Sequence, residues 1–366
     1  MLIGNPLIRR GHRRPLPLSS QPESICLLRF SALGDICHTV PVIRTLQAVW
    51  PLTRLTWVIG KLEAQLVGDM PGIEFVIFDK SAGWAEYGRL RSKMEKRRFD
   101  LLLHMQTSMR ANTASLMISA DVRLGFDPVR AKDHQSFFTT DQINPASCEH
   151  VMDSFFGFLK VLGIKERVIE WDIPIPAEAA TFTQNYVSGD EPVLVISPCA
   201  SPRFRNFRNW HVEGYTAVAD YASQKHGLRV ILVGGPTPVE KLYGDQISKQ
   251  VKSPITNLIG KTGLKELLAI LKRAAVVIAP DSGPAHIATA AGTPVIGLYA
   301  TTNPSRARPY LSEASLVNCY PEAVRTFLGK RVDEVPWGTR VRREEAMSLI
   351  KVEAVNQKLD QLMASL

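Results

Sequence analysis

The chain has 366 residues, 45% of them apolar and 22% charged, with a formal net charge of +9 at neutral pH. That length exceeds one ordinary hydrophobic core and predicts two α/β domains, and the composition excludes a disordered chain. No apolar run reaches the roughly 18 residues of a membrane-spanning helix, and the positive charge favours anionic partners without choosing among nucleotides, phosphorylated lipids, nucleic acid and acidic membrane faces.

Residues 1–22 carry Arg9, Arg10, Arg13 and Arg14 followed by prolines, and predict a basic flexible tail rather than a secretion signal. The first strand is expected over residues 24–30, a mostly apolar run suited to a buried parallel strand. Residues 31–35 form its turn, and Val42, Leu46 and Val49 at helical spacing predict a helix over 41–49, with Pro41 near its first turn. Further strands at 54–59, 74–78 and 100–104, separated by helix-length stretches, complete a doubly wound parallel sheet in a domain spanning 23–178. Residues 171–176 and the polar run ending at Pro192 predict an inter-domain linker. The pattern then restarts, with strands expected at 193–197, 229–233, 255–258, 276–279 and 295–299 and helices around 212–226, 237–251, 264–273 and 284–291. This is a second doubly wound domain over 190–340. A last helix is expected from 344 to 363, within a terminal segment 341–366, with Leu349, Val352, Val355, Leu359 and Leu362 on one stripe.

Cys26, Cys37, Cys148, Cys199 and Cys319 are scattered, odd in number and without a CxxC pair. That pattern argues against a disulfide framework or a zinc site and fits a reducing, cytoplasmic compartment.

Four stretches carry chemistry. In the first, Gly34 and Asp35 sit on the turn after the opening strand, at the carboxyl edge where open α/β sheets bind ligands. The turn has neither GxGxxG nor GxxxxGK[ST], so it is neither a dinucleotide fingerprint nor a P-loop. Asp35 there either takes a proton as a general base or caps the following helix. In the second, Asp281, Ser282 and Gly283 end a strand and open a helix whose N-terminus suits phosphate, with His286 one turn further in as a packing or supporting residue. In the third, Ser201 offers a hydroxyl, and Arg203, Arg205 and Arg208 offer fixed charge for phosphate oxygens or form an exposed basic loop. The fourth, Gly234 and Gly235, is a glycine turn ending a strand. No cofactor is called for, and no metal site is expected, because neither a carboxylate cluster nor paired histidines accompany these loops.

Taken together, these stretches resemble the family-nine glycosyltransferases, the ADP-heptose:lipopolysaccharide heptosyltransferases. The resemblance rests on Gly34-Asp35-x-x-His38-Thr39-x-Pro41, Arg208-Asn209-Trp210, Gly234-Gly235 and Asp281-Ser282-Gly283-x-x-His286, in that order over residues 24–310. It implies a GT-B architecture, two Rossmann-like domains facing across a cleft, with an acceptor domain first, a donor domain second and the terminal helix returning to the first. It further implies Asp35 as general base, with Arg29, Ser31 and His38 on the acceptor side. Asp281 would hold heptose hydroxyls, while Arg208, in a position where many relatives have Lys, would meet the donor diphosphate with Ser282 and Gly283. Ser201, Gly234 and His286 complete the donor side. The expected reaction is inverting and metal-independent, from ADP-heptose to a lipid-anchored oligosaccharide. The enzyme would act in the cytoplasm, with a peripheral membrane contact through the tail and Lys96-Arg97-Arg98. The competing expectations are a non-catalytic sugar-nucleotide binder on the same scaffold, an NAD-linked dehydrogenase, disfavoured by the missing GxGxxG, and a nucleic-acid binder, for which no motif is present.

Overall fold

A computed structural model describes residues 15–187, 189, 191–201 and 206–365 and divides the chain into two units, Met1–Asp172 and Ile173–Leu366. The arginines expected in the basic tail lie outside the described residues.

In the first unit the strands are β1 (Ser24–Leu28), β2 (Arg54–Gly60), β3 (Ile73–Phe78), β4 (Arg98–His104), β5 (Ser119–Gly125) and β6 (Asp141–Gln142). They pair in the order β3-β2-β1-β4-β5-β6, every pair parallel. Ile25, Cys26, Leu27 and Leu28 are all fully buried because helices cover both faces of β1, which is why this strand reads as one unbroken apolar run. The helix Leu33–Val49 packs against Val151–Val161 on one face. β5 is absent from the sequence expectation because Asp121 and Arg123 interrupt its apolar pattern. The Arg123 guanidinium is nonetheless buried, donating to the carbonyls of Ser115, Ile118 and Phe138.

The second unit repeats this plan with β7 (Val193–Ile196), β8 (Arg229–Leu232), β9 (Ile255–Asn257), β10 (Val276–Pro280), β11 (Val295–Tyr299) and β12 (Val317–Asn318), in the order β12-β11-β10-β7-β8-β9. Counted from its own first strand, this is the same permutation as in the first unit. Each sheet therefore has a switch point between its first and fourth strands, β1 beside β4 and β7 beside β10. The connections leave those two carboxyl ends toward opposite faces, which opens a crevice for ligands.

Three expectations need correction. The proposed linker contains a helix, Ala177–Gln184, whose Ala179 and Thr183 are buried and which packs on Leu264–Arg273, so the second unit begins near residue 173. The single terminal helix is a 3₁₀ segment, Glu344–Leu349, followed by an α-helix, Val352–Met363. The break occurs where Ile350 is buried and its carbonyl accepts from the Trp210 indole at 3.1 Å. That helix spends its apolar stripe on the second unit instead of returning to the first. Val355 and Leu359 are fully buried in the second unit's core, and Asp360 accepts from Tyr221, Lys225 and His226. No helix among the described residues is long and apolar enough to cross a membrane.

Candidate active site

The first unit gathers its chemistry where β1 and β4 end. Gln106, just beyond β4, accepts from the backbone N–H of Phe30 at 2.6 Å and of Ser31 at 3.3 Å, tying the turn after β1 to its neighbour. Gln106 is itself positioned by Gln135, whose amide donates to the carbonyls of His104 and Gln106. Arg29, 9% exposed, lies over the Phe155 ring and donates to the Met105 carbonyl and the Asp35 carboxylate.

Asp35 stands at the third position of the helix Leu33–Val49, so it is inside the first turn and not the N-cap. Its Oδ2 meets the Arg29 guanidinium and accepts from the Ala32 N–H at 3.2 Å. Among the described residues nothing donates to Oδ1, and the side chain is 31% exposed. One oxygen therefore closes the helix N-terminus while the other is presented to solvent. The capping and base readings of Asp35 describe different oxygens of one carboxylate.

His38 is not gathered with this group. It is buried, with its ring edge-on to His150 at 5.0 Å, in the packing between Leu33–Val49 and Val151–Val161. Of the Lys96-Arg97-Arg98 run, Arg97 pairs with Glu74 and Arg98 with Asp121, so two of its three charges are engaged within the unit.

In the second unit the corresponding switch point joins the loop after β7 to the turn after β10. The Arg208 Nη1 donates to the Asp281 carbonyl at 2.8 Å and lies 3.5 Å from its Oδ2, although 73 positions separate the two residues. Asn206 orients the guanidinium by accepting from Nε at 3.0 Å, and Asn209 pins the loop by accepting from the Ala200 N–H at 2.9 Å. Trp210 anchors the loop's far end, fully buried against Tyr215. Ser201 is exposed, while Arg203 and Arg205 lie outside the described residues.

The other side chain of this group is His286, whose Nε2 lies 4.0 Å from Asp281 Oδ1. Ser282 takes the N-cap position of Gly283–Ala290 but makes no side-chain capping bond, and its hydroxyl is buried without a partner. The helix end with its N–H groups and positive dipole is thus left open to an anion's oxygens, beside the Arg208 charge.

Gly234 and Gly235 end β8, one strand away from the switch point. Glu240 draws them in by accepting from the Gly235 N–H at 2.7 Å and from the Thr237 hydroxyl at 2.6 Å. A Cβ on Gly234 would come within 3.3 Å of that carboxylate. Gln106, Asn206 and Asn209 went unseen in the sequence because single amides carry no spacing signal. Glu240 had one, the Thr237-x-x-Glu240 capping box.

Residues 87–328 match glycosyltransferase family 9 (heptosyltransferase). The chain is similar to the lipopolysaccharide core heptosyltransferase OpsX of Haemophilus influenzae, 36% identical over 348 residues that cover 95% of this chain and 99% of the relative. Among solved structures it resembles a family 9 glycosyl transferase from Veillonella parvula, with a TM-score of 0.76 at 21% identity over 94% of this chain and 98% of that one. It also resembles the Escherichia coli heptosyltransferase WaaC with ADP, with a TM-score of 0.70 at 18% identity over 93% of this chain and 99% of that one. The match across most of the chain, together with the two switch-point clusters, places this protein in glycosyltransferase family 9, the heptosyltransferases.

Proposed function

We propose that the enzyme transfers a heptose from ADP-heptose to a hydroxyl of a lipopolysaccharide core acceptor, with inversion and without a metal ion, using Asp35 as general base. The observation that carries this reading is the divided role of the Asp35 carboxylate, one oxygen held by Arg29 and Ala32 and the other presented outward. A carboxylate fixed in this way is oriented to receive a proton, and a protein that merely bound the sugar nucleotide would have no use for it.

The names of relatives support this choice of donor and acceptor. OpsX is named for lipopolysaccharide core heptosyl transfer, and WaaC has been solved with ADP and with ADP-2-deoxy-2-fluoro heptose. On this reading Arg208 and the open end of Gly283–Ala290 hold the diphosphate, with the Ser282 hydroxyl and Ser201 beside it. Asp281, steadied by Arg208 and near His286, accepts from heptose hydroxyls, and Gly234 borders the nucleotide. As the acceptor oxygen attacks C1 from the face opposite the diphosphate, its proton passes to Asp35 Oδ1. The C1–O bond to phosphate breaks, and ADP leaves with its charge stabilised by the guanidinium and helix dipole, a role a divalent ion would otherwise fill. Because the acceptor is lipid-anchored, the enzyme works at the inner face of the membrane as a peripheral protein, its net positive charge drawn to acidic headgroups.

The test is release of ADP from ADP-heptose in the presence of heptose-free lipopolysaccharide and excess EDTA, with the anomeric configuration of the product read by NMR. Expected are full turnover in EDTA and an inverted linkage. A chain that binds ADP-heptose yet releases no ADP with any heptose-free core is a binder and not a transferase.

A further inference from the structure

The chain leaves the first unit at Asp172 and enters the second at Ile173. Such crossings are ordinarily exposed, loosely held linkers. This one is tied down almost residue by residue. On the first unit's side the Val168 N–H donates to the Thr45 hydroxyl at 2.9 Å, and the buried Trp171 donates its indole N–H to the Cys37 carbonyl at 2.7 Å. Arg44 then closes its fork on the unit's last two carbonyls. Its Nη2 donates to Trp171 at 3.3 Å and to Asp172 at 2.8 Å, and its Nε donates to Trp171 at 3.3 Å. The third nitrogen, Nη1, meets the Gln47 amide oxygen at 3.0 Å, and Gln47 is in turn fixed by donating to the Pro71 carbonyl at 3.0 Å.

Beyond the crossing, stiffness comes from the sequence. Pro174 and Pro176 have a fixed φ, and each confines the residue before it, Ile173 or Ile175, to extended backbone. The Pro174 carbonyl accepts from Lys265 at 2.7 Å. Lys265 stands on the helix Leu264–Arg273, which packs against Gly283–Ala290, the helix with the open anion end. Between the two sets of ties lies Asp172, exposed and with a φ of 40°, in the left-handed region. Asp tolerates that region better than most residues but does not prefer it.

We infer that Arg44 is a positioning residue: by gripping the Trp171 and Asp172 carbonyls it holds Asp172 left-handed and so fixes the direction in which the chain enters the second unit. Cys37, Arg44 and Thr45 all belong to Leu33–Val49, the helix whose first turn carries Asp35. The far end of the segment is held by the helix that backs the donor side. One short clamped stretch therefore connects the base to the donor site. Released from Arg44, Asp172 relaxes to a negative φ, and each half of the site stays intact while their register is lost. The kinetic consequence rests on the transfer reading above, whereas the conformation can be read without turnover.

The experiment compares the full chain with Arg44→Ala, Arg44→Lys, Asp172→Val, Asp172→Asn and Asp172→Gly. It reads kcat for transfer, ADP binding by calorimetry, the urea midpoint and small-angle X-ray scattering. Valine is β-branched and strongly resists a positive φ, whereas Asn and Gly accept one. Arg44→Ala and Asp172→Val should each lower kcat roughly 10- to 100-fold, the scale of a small misplacement of reacting groups, with the ADP dissociation constant within about twofold of the parent's. Both should shift the scattering profile in the same sense. Asp172→Asn and Asp172→Gly should keep kcat within about threefold of the parent's, and Arg44→Lys should recover part of the Ala loss, since it restores the charge without the fork. A merely structural Arg44 would lower the urea midpoint and leave kcat alone. Parent kcat in either Arg44→Ala or Asp172→Val, or a kcat loss matched by weaker ADP binding, overturns the inference. Should the parent chain transfer nothing, scattering decides by itself. A shift shared by Arg44→Ala and Asp172→Val sustains the clamp, and profiles that superimpose on the parent's defeat it.

Discussion

Replacing Asp35 by Asn separates its two oxygens' roles. The amide is nearly the same shape, and its one carbonyl oxygen can still accept from the Ala32 N–H and the Arg29 guanidinium in the place of Oδ2. What is lost is the outward oxygen's ability to hold a proton. A positioned general base contributes about 10²–10⁴-fold, or ~2.7–5.4 kcal/mol of barrier at 1.36 kcal/mol per decade. Asp35→Asn should therefore lower kcat within that range, leave the ADP dissociation constant unchanged in calorimetry, and keep the urea midpoint near the parent's. Asp35→Ala should show the same kcat loss together with a stability loss, because it strips the partner from the guanidinium of Arg29, whose side chain is 11% exposed. Breaking a fully buried pair costs about 3–5 kcal/mol, and with Asp35 at 31% exposure about 1–3 kcal/mol is the fitting figure. An Asn variant turning over within tenfold of the parent, with donor binding intact, would refute Asp35 as the base and leave only its structural role.

Arg208→Ala should weaken ADP binding roughly 10–100-fold in calorimetry, the scale of hydrogen bonds to charged groups, and Arg208→Lys should recover part of it by restoring charge without the fork. Unchanged affinity would remove Arg208 from the donor site. His104 is fully buried, and that burial, with the nearby Arg123 charge, pushes its pKa down to about 3. Its folded value lies below the unfolded ~6.5, so the stability it permits is complete above that pH and is lost as pH falls through it. Between pH 7 and pH 5 this amounts to about 2 kcal/mol, and His104→Gln, which can still meet Asn112, should flatten that part of the urea-derived profile. A profile equally steep in the variant would contradict the buried neutral ring. A Cβ at Gly214 would lie 2.5–2.6 Å from two ring atoms of the fully buried Trp210. Gly214→Ala should therefore cost about 2 kcal/mol by urea titration, overpacking of up to ~3 offset by ~1 of helix propensity, and should loosen ADP binding through the Arg208-Asn209-Trp210 loop. A variant as stable as the parent would show that the indole can move aside.

The alternation of strand and helix was legible because the inner strands of both sheets are covered on two faces and so carry almost nothing but apolar side chains. β1, β7, β10 and β11 are runs of this kind. The edges were not. β6 and β12 are two residues each, too short for any periodicity, and β5 hides behind an arginine whose charge is met by carbonyls from neighbouring segments. The terminal helix misled for a related reason. An apolar stripe shows that a helix docks but not on what, and here the decisive partners, Tyr221, Lys225 and His226 around Asp360, stand more than a hundred positions away.

The same distance problem governs the site. Asp35 and the Asp281-Ser282-Gly283 turn could be read directly, because a strand, a short turn and a helix start are local features with local signatures. Arg208 on Asp281 and Gln106 on the Phe30–Ser31 turn are contacts across 73 to 76 positions, and no spacing rule encodes them. They become expected once the strand order is known, since placing the fourth strand beside the first brings the residues after each together.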